Sequence, residues 1–86
     1  MVDPLEYHPY IVYLVRLRDA LSGRERWLRD RSGYPLQFAY RQNADLAALN
    51  ETRHGTTWEY AWAIEIDTRY ESISALSLAD ADPTAA

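Results

Sequence analysis

The sequence predicts an α+β fold, in which a small antiparallel sheet of about four strands carries one short helix. Segments rich in β-branched and aromatic residues alternate apolar side chains with other types, which is the period of a strand. Gly, Ser, Pro and Asn interrupt these segments at short intervals, and short connections favour antiparallel neighbours. The predicted strands are residues 10–18, 24–31, 35–41 and 57–67, and the predicted helix is residues 44–53.

The first two strands are expected to form a hairpin. The segment Tyr10–Arg18 begins with β-branched and aromatic residues, and Ser22 and Gly23 form a turn signal before a second segment that contains Trp27. Apolar residues in this region also recur at close to 3.5-residue spacing, so a helix broken at Gly23 stays the alternative. A glycine inside that helix would cost about 1 kcal/mol relative to alanine.

The middle of the chain is predicted to hold a strand and then the helix. Ser32 to Pro35 break the pattern, after which residues 35–41 alternate apolar and polar side chains. Asn43 is expected to cap the helix N-terminus, because its side-chain oxygen can accept a hydrogen bond from a free first-turn amide. Gly55 is expected to end the helix in a left-handed conformation.

The last predicted strand, residues 57–67, has the most regular pattern in the chain. One face is entirely apolar, and the other is made of alanine and acids. We therefore expect the apolar face in the core and the small, acidic face in solvent. The apolar face consists of Trp58, Tyr60, Trp62, Ile64 and Ile66. Residues 68–78 fit either a helix or a weak strand or loop.

Residues 1–86 are expected to form one domain, because 86 residues provide one modest core. Residues 1–9 are expected to be an extended arm and residues 79–86 a frayed tail. There is no cysteine and no apolar run long enough to span a bilayer, so a cytoplasmic protein that does not enter a membrane is expected.

Catalytic chemistry has no sequence signature here. The two histidines, His8 and His54, have no metal-ligand spacing, and the serines lie outside any nucleophile motif. We expect no catalytic residue, no bound metal and no cofactor, and therefore no enzyme.

Charge is unevenly distributed along the chain, and it defines two candidate contact surfaces. The net charge is −4, with an excess of acids after residue 41 and an excess of arginine in residues 10–41. An acidic surface can occupy a basic groove, and an arginine patch can hold an acidic partner. The acidic candidates are Glu59, Glu65, Asp67 and Glu71. The basic candidates are Arg16, Arg18, Arg24 and Arg26, of which the last three are expected to share outward positions on the hairpin.

These residues predict a non-enzymatic protein-binding module, since tyrosine, tryptophan and arginine are the types enriched at interface hot spots. The small, acidic, cofactor-free profile resembles that of phage-encoded inhibitors of host defence complexes such as anti-CRISPR proteins, although the resemblance includes no motif. It implies a modulator that occupies the surface of a nucleic-acid-handling complex.

Two other functions remain open. One is a single-stranded nucleic-acid-binding domain that uses Arg16–Arg31, against which the pI near 5.0 argues. The other is a small accessory subunit of a larger complex. A homodimer through an exposed edge strand is a further possibility.

Overall fold

A three-stranded antiparallel sheet with a helix against each face forms the centre of the molecule. The computed structural model describes residues 8–54 and 58–79. The strand order is β2-β1-β3, so β1 is the central strand. The α+β class with a small antiparallel sheet is confirmed. The elements are β1 (Ile11–Asp19), β2 (Glu25–Trp27), α1 (Arg41–His54), β3 (Trp58–Asp67) and α2 (Ile73–Ala79).

β1 and β2 form the expected hairpin, and the helical alternative for residues 10–31 is excluded. Arg16 lies opposite Trp27, and Arg18 lies opposite Glu25. The Asp19 carboxylate accepts hydrogen bonds from two backbone N–H groups of the turn, at 2.7 and 3.1 Å. Gly23 has a φ of 74°, which glycine adopts without the steric penalty of a side chain.

Residues 28–40 form no regular strand and bond to β1 at Leu28 and Phe38. β2 ends at Trp27, and the segment predicted as a third strand makes isolated bridges at Arg29–Pro35 and Tyr13–Phe38. Proline has no N–H to donate to a continuous ladder. Pro35 is fully buried, so it fills space where it cannot extend the sheet.

α1 begins at Arg41, three residues before the predicted start. The prediction that Asn43 caps this helix is wrong, because Asn43 lies in its first turn and donates its backbone N–H to the carbonyl of Tyr40. The predicted end at Gly55 lies outside the described residues, as do residues 1–7 of the expected arm and residues 80–86 of the expected tail.

The sheet has a core on each face. Val15 and Leu17 of β1 pack with Ala44 and Ala48 of α1, and the alanines of β3 lie against the same cluster. We call this side the α1 face. The expectation that the small residues of β3 face solvent is therefore wrong for Ala61 and Ala63, which are partly buried beneath α1.

The opposite side, which we call the α2 face, holds the larger side chains. Leu14, Trp27 and Ile66 pack with Ile73 of α2. Residues 68–78, which the sequence left open, contain this helix except for its last residue, Ala79, which was expected to belong to the frayed tail. Ser72 precedes it, and its hydroxyl accepts the Ala75 N–H at 3.3 Å, which is the geometry of an N-cap.

Neither α1 nor α2, the helices found in residues 8–54 and 58–79, combines the length and apolar composition that a bilayer-spanning helix requires.

Candidate functional site

α2 covers only part of its face, and the uncovered part presents aromatic rings and arginines. The helix packs over the portion of the sheet that contains Leu14, Ile64 and Ile66. Nearer the start of β3, Tyr60 is 53% exposed and Trp62 is 37% exposed. We call the surface formed by Arg16, Arg18, Tyr60 and Trp62 the aromatic platform.

Strand register places the platform side chains in two rows across the sheet. Arg16 lies between Trp27 of β2 and Trp62 of β3 in the first row. Arg18 lies between Glu25 and Tyr60 in the second row. Because all of these positions are in paired strands, the platform is held by the backbone of the sheet and not by a loop.

Contacts between the side chains order this surface. The Arg16 guanidinium lies 4.5 Å from the ring centroid of Trp27, and its Nε donates to Glu25 at 3.3 Å. The Arg18 guanidinium lies 6.0 Å from the ring centroid of Tyr60. The Arg16 side chain is only 19% exposed, whereas Arg18 is exposed. Arg18 is thus the platform cation most accessible to a partner.

The four candidate arginines do not form one patch. Arg26 lies opposite Leu17 and therefore belongs to the α1 face, whereas Arg16 and Arg18 belong to the α2 face. Arg24 lies between the turn and β2. The expectation that Arg18, Arg24 and Arg26 share outward positions is wrong, because Arg18 and Arg26 lie on opposite faces of the hairpin.

The acidic candidates are compensated in part by their neighbours. Asp67 accepts hydrogen bonds from Nε and Nη2 of Arg69, at 3.0 and 2.7 Å. These contacts with Arg69 hold the pKa of Asp67 below its ordinary value. The Arg69 guanidinium in turn lies 5.0 Å from the ring of Tyr10 and 5.4 Å from that of Tyr70.

The other acids are more dispersed. Glu65 is exposed and lies opposite Tyr13 on the α1 face. Burial, and then the negative charge of Glu65, raise the pKa of the Tyr13 phenol. Glu71 is exposed in the connection before α2, and the side chain of Glu59 lies outside the described part of the structure. The described acidic candidates therefore do not form a continuous surface with Tyr60 and Trp62.

A concave region lies next to β2. It has a volume of about 240 Å³, and its lining includes Arg26, Arg29 and Glu51. Arg29 donates hydrogen bonds to the Gly33 carbonyl and the Ser77 hydroxyl, and Glu51 adds a negative charge to the lining. The lining includes no nucleophile beside a base. Among residues 8–54 and 58–79, no three histidine, aspartate or glutamate side chains gather in a way that could hold a metal ion.

Sequence reasoning assigned Tyr60 and Trp62 to the core and missed them as surface residues. The arginines of the neighbouring strand, β1, could have indicated this exposure. Arg16 and Arg18 occupy the same face of β1 as Leu14, and two successive charged positions on one face are seldom buried. Their partners on β3, Trp62 and Tyr60, share that exposure, whereas Trp27 on β2 is buried.

Comparison with known proteins gives no match, since no family model fits the chain and no curated protein or solved structure shows significant similarity to it.

Proposed function

We propose that this chain is a non-enzymatic protein-binding module that docks through the aromatic platform. The observation that carries the proposal is the exposure of Tyr60 and Trp62 beside Arg18 on a rigid sheet. Exposed rings on a paired strand lose little conformational freedom when a partner covers them, which favours binding. Tyrosine, tryptophan and arginine are also the residues whose truncation costs most at interfaces.

The partner surface best suited to the platform combines apolar side chains with at least one carboxylate. Apolar groups would cover the two rings, and a carboxylate would pair with Arg18. Arg16 is already paired with Glu25, so the platform offers a net charge of about one positive unit. The absence of cysteine fits a partner in a reducing compartment such as the cytoplasm.

Single-stranded nucleic acid is the second candidate ligand. Tyr60 and Trp62 are two residues apart on one strand face, about 7 Å along the strand, and exposed rings in such a row can stack on bases. A phosphate backbone needs several cations, however, and the whole chain has a net charge of −4. We therefore favour the protein partner.

The finer form of the proposal is that the partner is a nucleic-acid-handling complex, which the chain inhibits as an anti-CRISPR-like protein would. The exposed Glu65 and Glu71 support it, because they could repel nucleic acid from the surface that the chain occupies. The pairing of Asp67 with Arg69 weakens that support, since it removes one acid from the candidate surface.

Affinity capture from the source cell, with the wild-type chain and two variants, tests the proposal. We expect the partner to be retained by wild type and lost with the double variant Tyr60→Ala, Trp62→Ala. Truncating two hot-spot rings should weaken binding by about 30-fold or more, since one hot spot contributes about 2 kcal/mol.

Tyr70→Ala is the matched control, because Tyr70 is an 80% exposed ring outside the platform. Equal capture by wild type and the double variant would contradict the proposal. Fluorescence anisotropy with labelled single-stranded oligonucleotides at low salt tests the second candidate. Salt-sensitive binding that is lost with the double variant would establish it in place of the first.

A further inference from the structure

β3 presents a long backbone edge that the described chain leaves unpaired. In residues 8–54 and 58–79, β3 has a paired neighbour only on the side of β1. The strand is ten residues long, contains no proline, and has a register shift only near its first residue, opposite Asp19. Natural edge strands usually carry proline, charged residues or bulges that discourage pairing. In β3 the register shift and the charged residues Glu65 and Asp67 lie toward the two ends, so residues 60–64 carry none of these features.

Hydrogen bonding of β1 shows which residues of β3 direct their backbone outward. Tyr13 exchanges two backbone hydrogen bonds with Phe38, at 2.8 and 2.9 Å, on the side of β1 away from β3. Successive residues of a strand direct their N–H and C=O groups to opposite sides. Leu14 and Arg16 therefore bond to β3, through Ile64 and Trp62. It follows that the outward groups of β3 belong to the odd-numbered residues, which include Ala61 and Ala63.

We propose that β3 pairs antiparallel with β3 of a second copy of this chain, about a two-fold axis at Ala61. This register places Tyr60 opposite Trp62 of the second copy, and Trp62 opposite its Tyr60. Aromatic cross-strand pairs stabilise antiparallel sheets. The result is one six-stranded sheet.

An axis at Ala63 is the competing register. It places Trp62 of one copy opposite Ile64 of the other, so the dimer would contain no directly opposed aromatic pair. The axis at Ala61 is favoured because it forms two such pairs.

The dimer would extend the aromatic platform without covering it. A two-fold axis perpendicular to the sheet keeps the α2 faces of both copies on the same side. Tyr60 and Trp62 of each copy would then form one continuous group of four rings. The inference rests on the β3 edge and not on the proposed function. Experiments can therefore contradict the dimer without contradicting partner binding by the platform, and the reverse.

Cysteine cross-linking tests the register, and the natural chain has no cysteine to interfere. With the axis at Ala61, positions 60 and 62 form a non-hydrogen-bonded pair, with Cα atoms about 4.5 Å apart, which a disulfide can bridge. A mixture of the variants Tyr60→Cys and Trp62→Cys should give a covalent dimer on oxidation. Either variant alone should give much less, because identical positions lie diagonally, about 7–8 Å apart.

Cross-linking between Trp62→Cys and Ile64→Cys in place of the first pair would overturn the register at Ala61. Light scattering over a dilution series tests the dimer itself. We expect the wild type to rise from one to two 10.0 kDa chains as its concentration increases. A constant mass of one chain would overturn the proposal.

Ala61→Pro should remain a monomer at every concentration, because proline removes an outward N–H and leaves the bonds to β1 in place. Ala61→Ser is the matched control, since it keeps the N–H and should still dimerise. Circular dichroism of both variants shows that each remains folded. Dimerisation of Ala61→Pro to the same extent as wild type would overturn the proposed edge.

Discussion

The two faces of the sheet are covered in different ways. The α1 face carries small side chains from β3, and a 14-residue helix with Ala44 and Ala48 on its inner side packs closely over it. The α2 face carries larger side chains, and a seven-residue helix covers only the part around Leu14 and Ile66. Small residues thus allow a long helix to pack closely against the sheet, whereas a short helix leaves large rings exposed.

This difference separates the two roles of the sheet. The α1 face contributes stability through close contact between a helix and a strand. The α2 face divides into a core next to α2 and an open surface that contains Tyr60 and Trp62. A chain of this size can therefore obtain both a core and a binding surface from one sheet, without a separate domain.

The largest effect is expected from Leu14→Ala, which removes the centre of the α2-face core. Leu14 is fully buried and packs with Trp27, Ile66 and Ile73. The cavity should lower the free energy of unfolding by about 2–5 kcal/mol. Urea denaturation followed by circular dichroism measures this loss. A loss below about 1 kcal/mol would show that the α2 face contributes little to stability.

An intermediate effect is expected from enlarging the α1 face with Ala44→Leu. Ala44 is fully buried, so the longer side chain has no free volume and must displace α1 from β1. Such overpacking typically lowers the free energy of unfolding by about 1–3 kcal/mol. The matched control is Leu46→Ala on the exposed side of the same helix, which should change stability much less. Equal effects of the two substitutions would contradict close packing on this face.

The elements of the fold were predictable where the sequence pattern had one physical explanation. The β-branched start of β1 and the turn at Gly23 predicted the hairpin, and the alternation in β3 predicted a long strand. The helix start was missed because Asn43 fits both an N-cap and a first-turn position. α2 was left open because its seven residues are too few to show a clear helix or strand period. Its stability comes from the packing of Ile73 and from the Ser72 cap.

The candidate site was less predictable than the fold. Alternation shows which residues share a face, but it does not show how far a helix extends over that face. Tyr60 and Ile66 have equivalent positions in the pattern, yet the first is exposed and the second is buried. The sequence also did not show that the charge of Asp67 is paired with Arg69, since this contact depends on the turn that follows β3.

The smallest effect concerns the loop that holds α2 on its face. Asp30 accepts hydrogen bonds from the Ser32 hydroxyl at 2.6 Å and from the Tyr34 backbone N–H at 3.0 Å. The Tyr34 hydroxyl then contacts Ser74 of α2 at 3.0 Å. The hydrogen bond from the Ser32 side chain, followed by that from the Tyr34 backbone, lowers the pKa of Asp30 from its ordinary value of 3.8.

A lowered pKa in the folded state sets the direction of the pH dependence. The ionised carboxylate stabilises the fold above pH 3.8, and this stabilisation is lost as the pH falls through the lower pKa of the folded state. Asp19 and Asp67 act in the same direction, so wild type should lose stability in acid. Ser32→Ala removes the strongest contact of Asp30, and it should therefore destabilise the protein at about pH 5 more than at about pH 2. Urea denaturation of both proteins at the two pH values measures the difference. If Ser32→Ala lowers the free energy of unfolding equally at both, the Asp30 loop does not contribute to the loss of stability in acid.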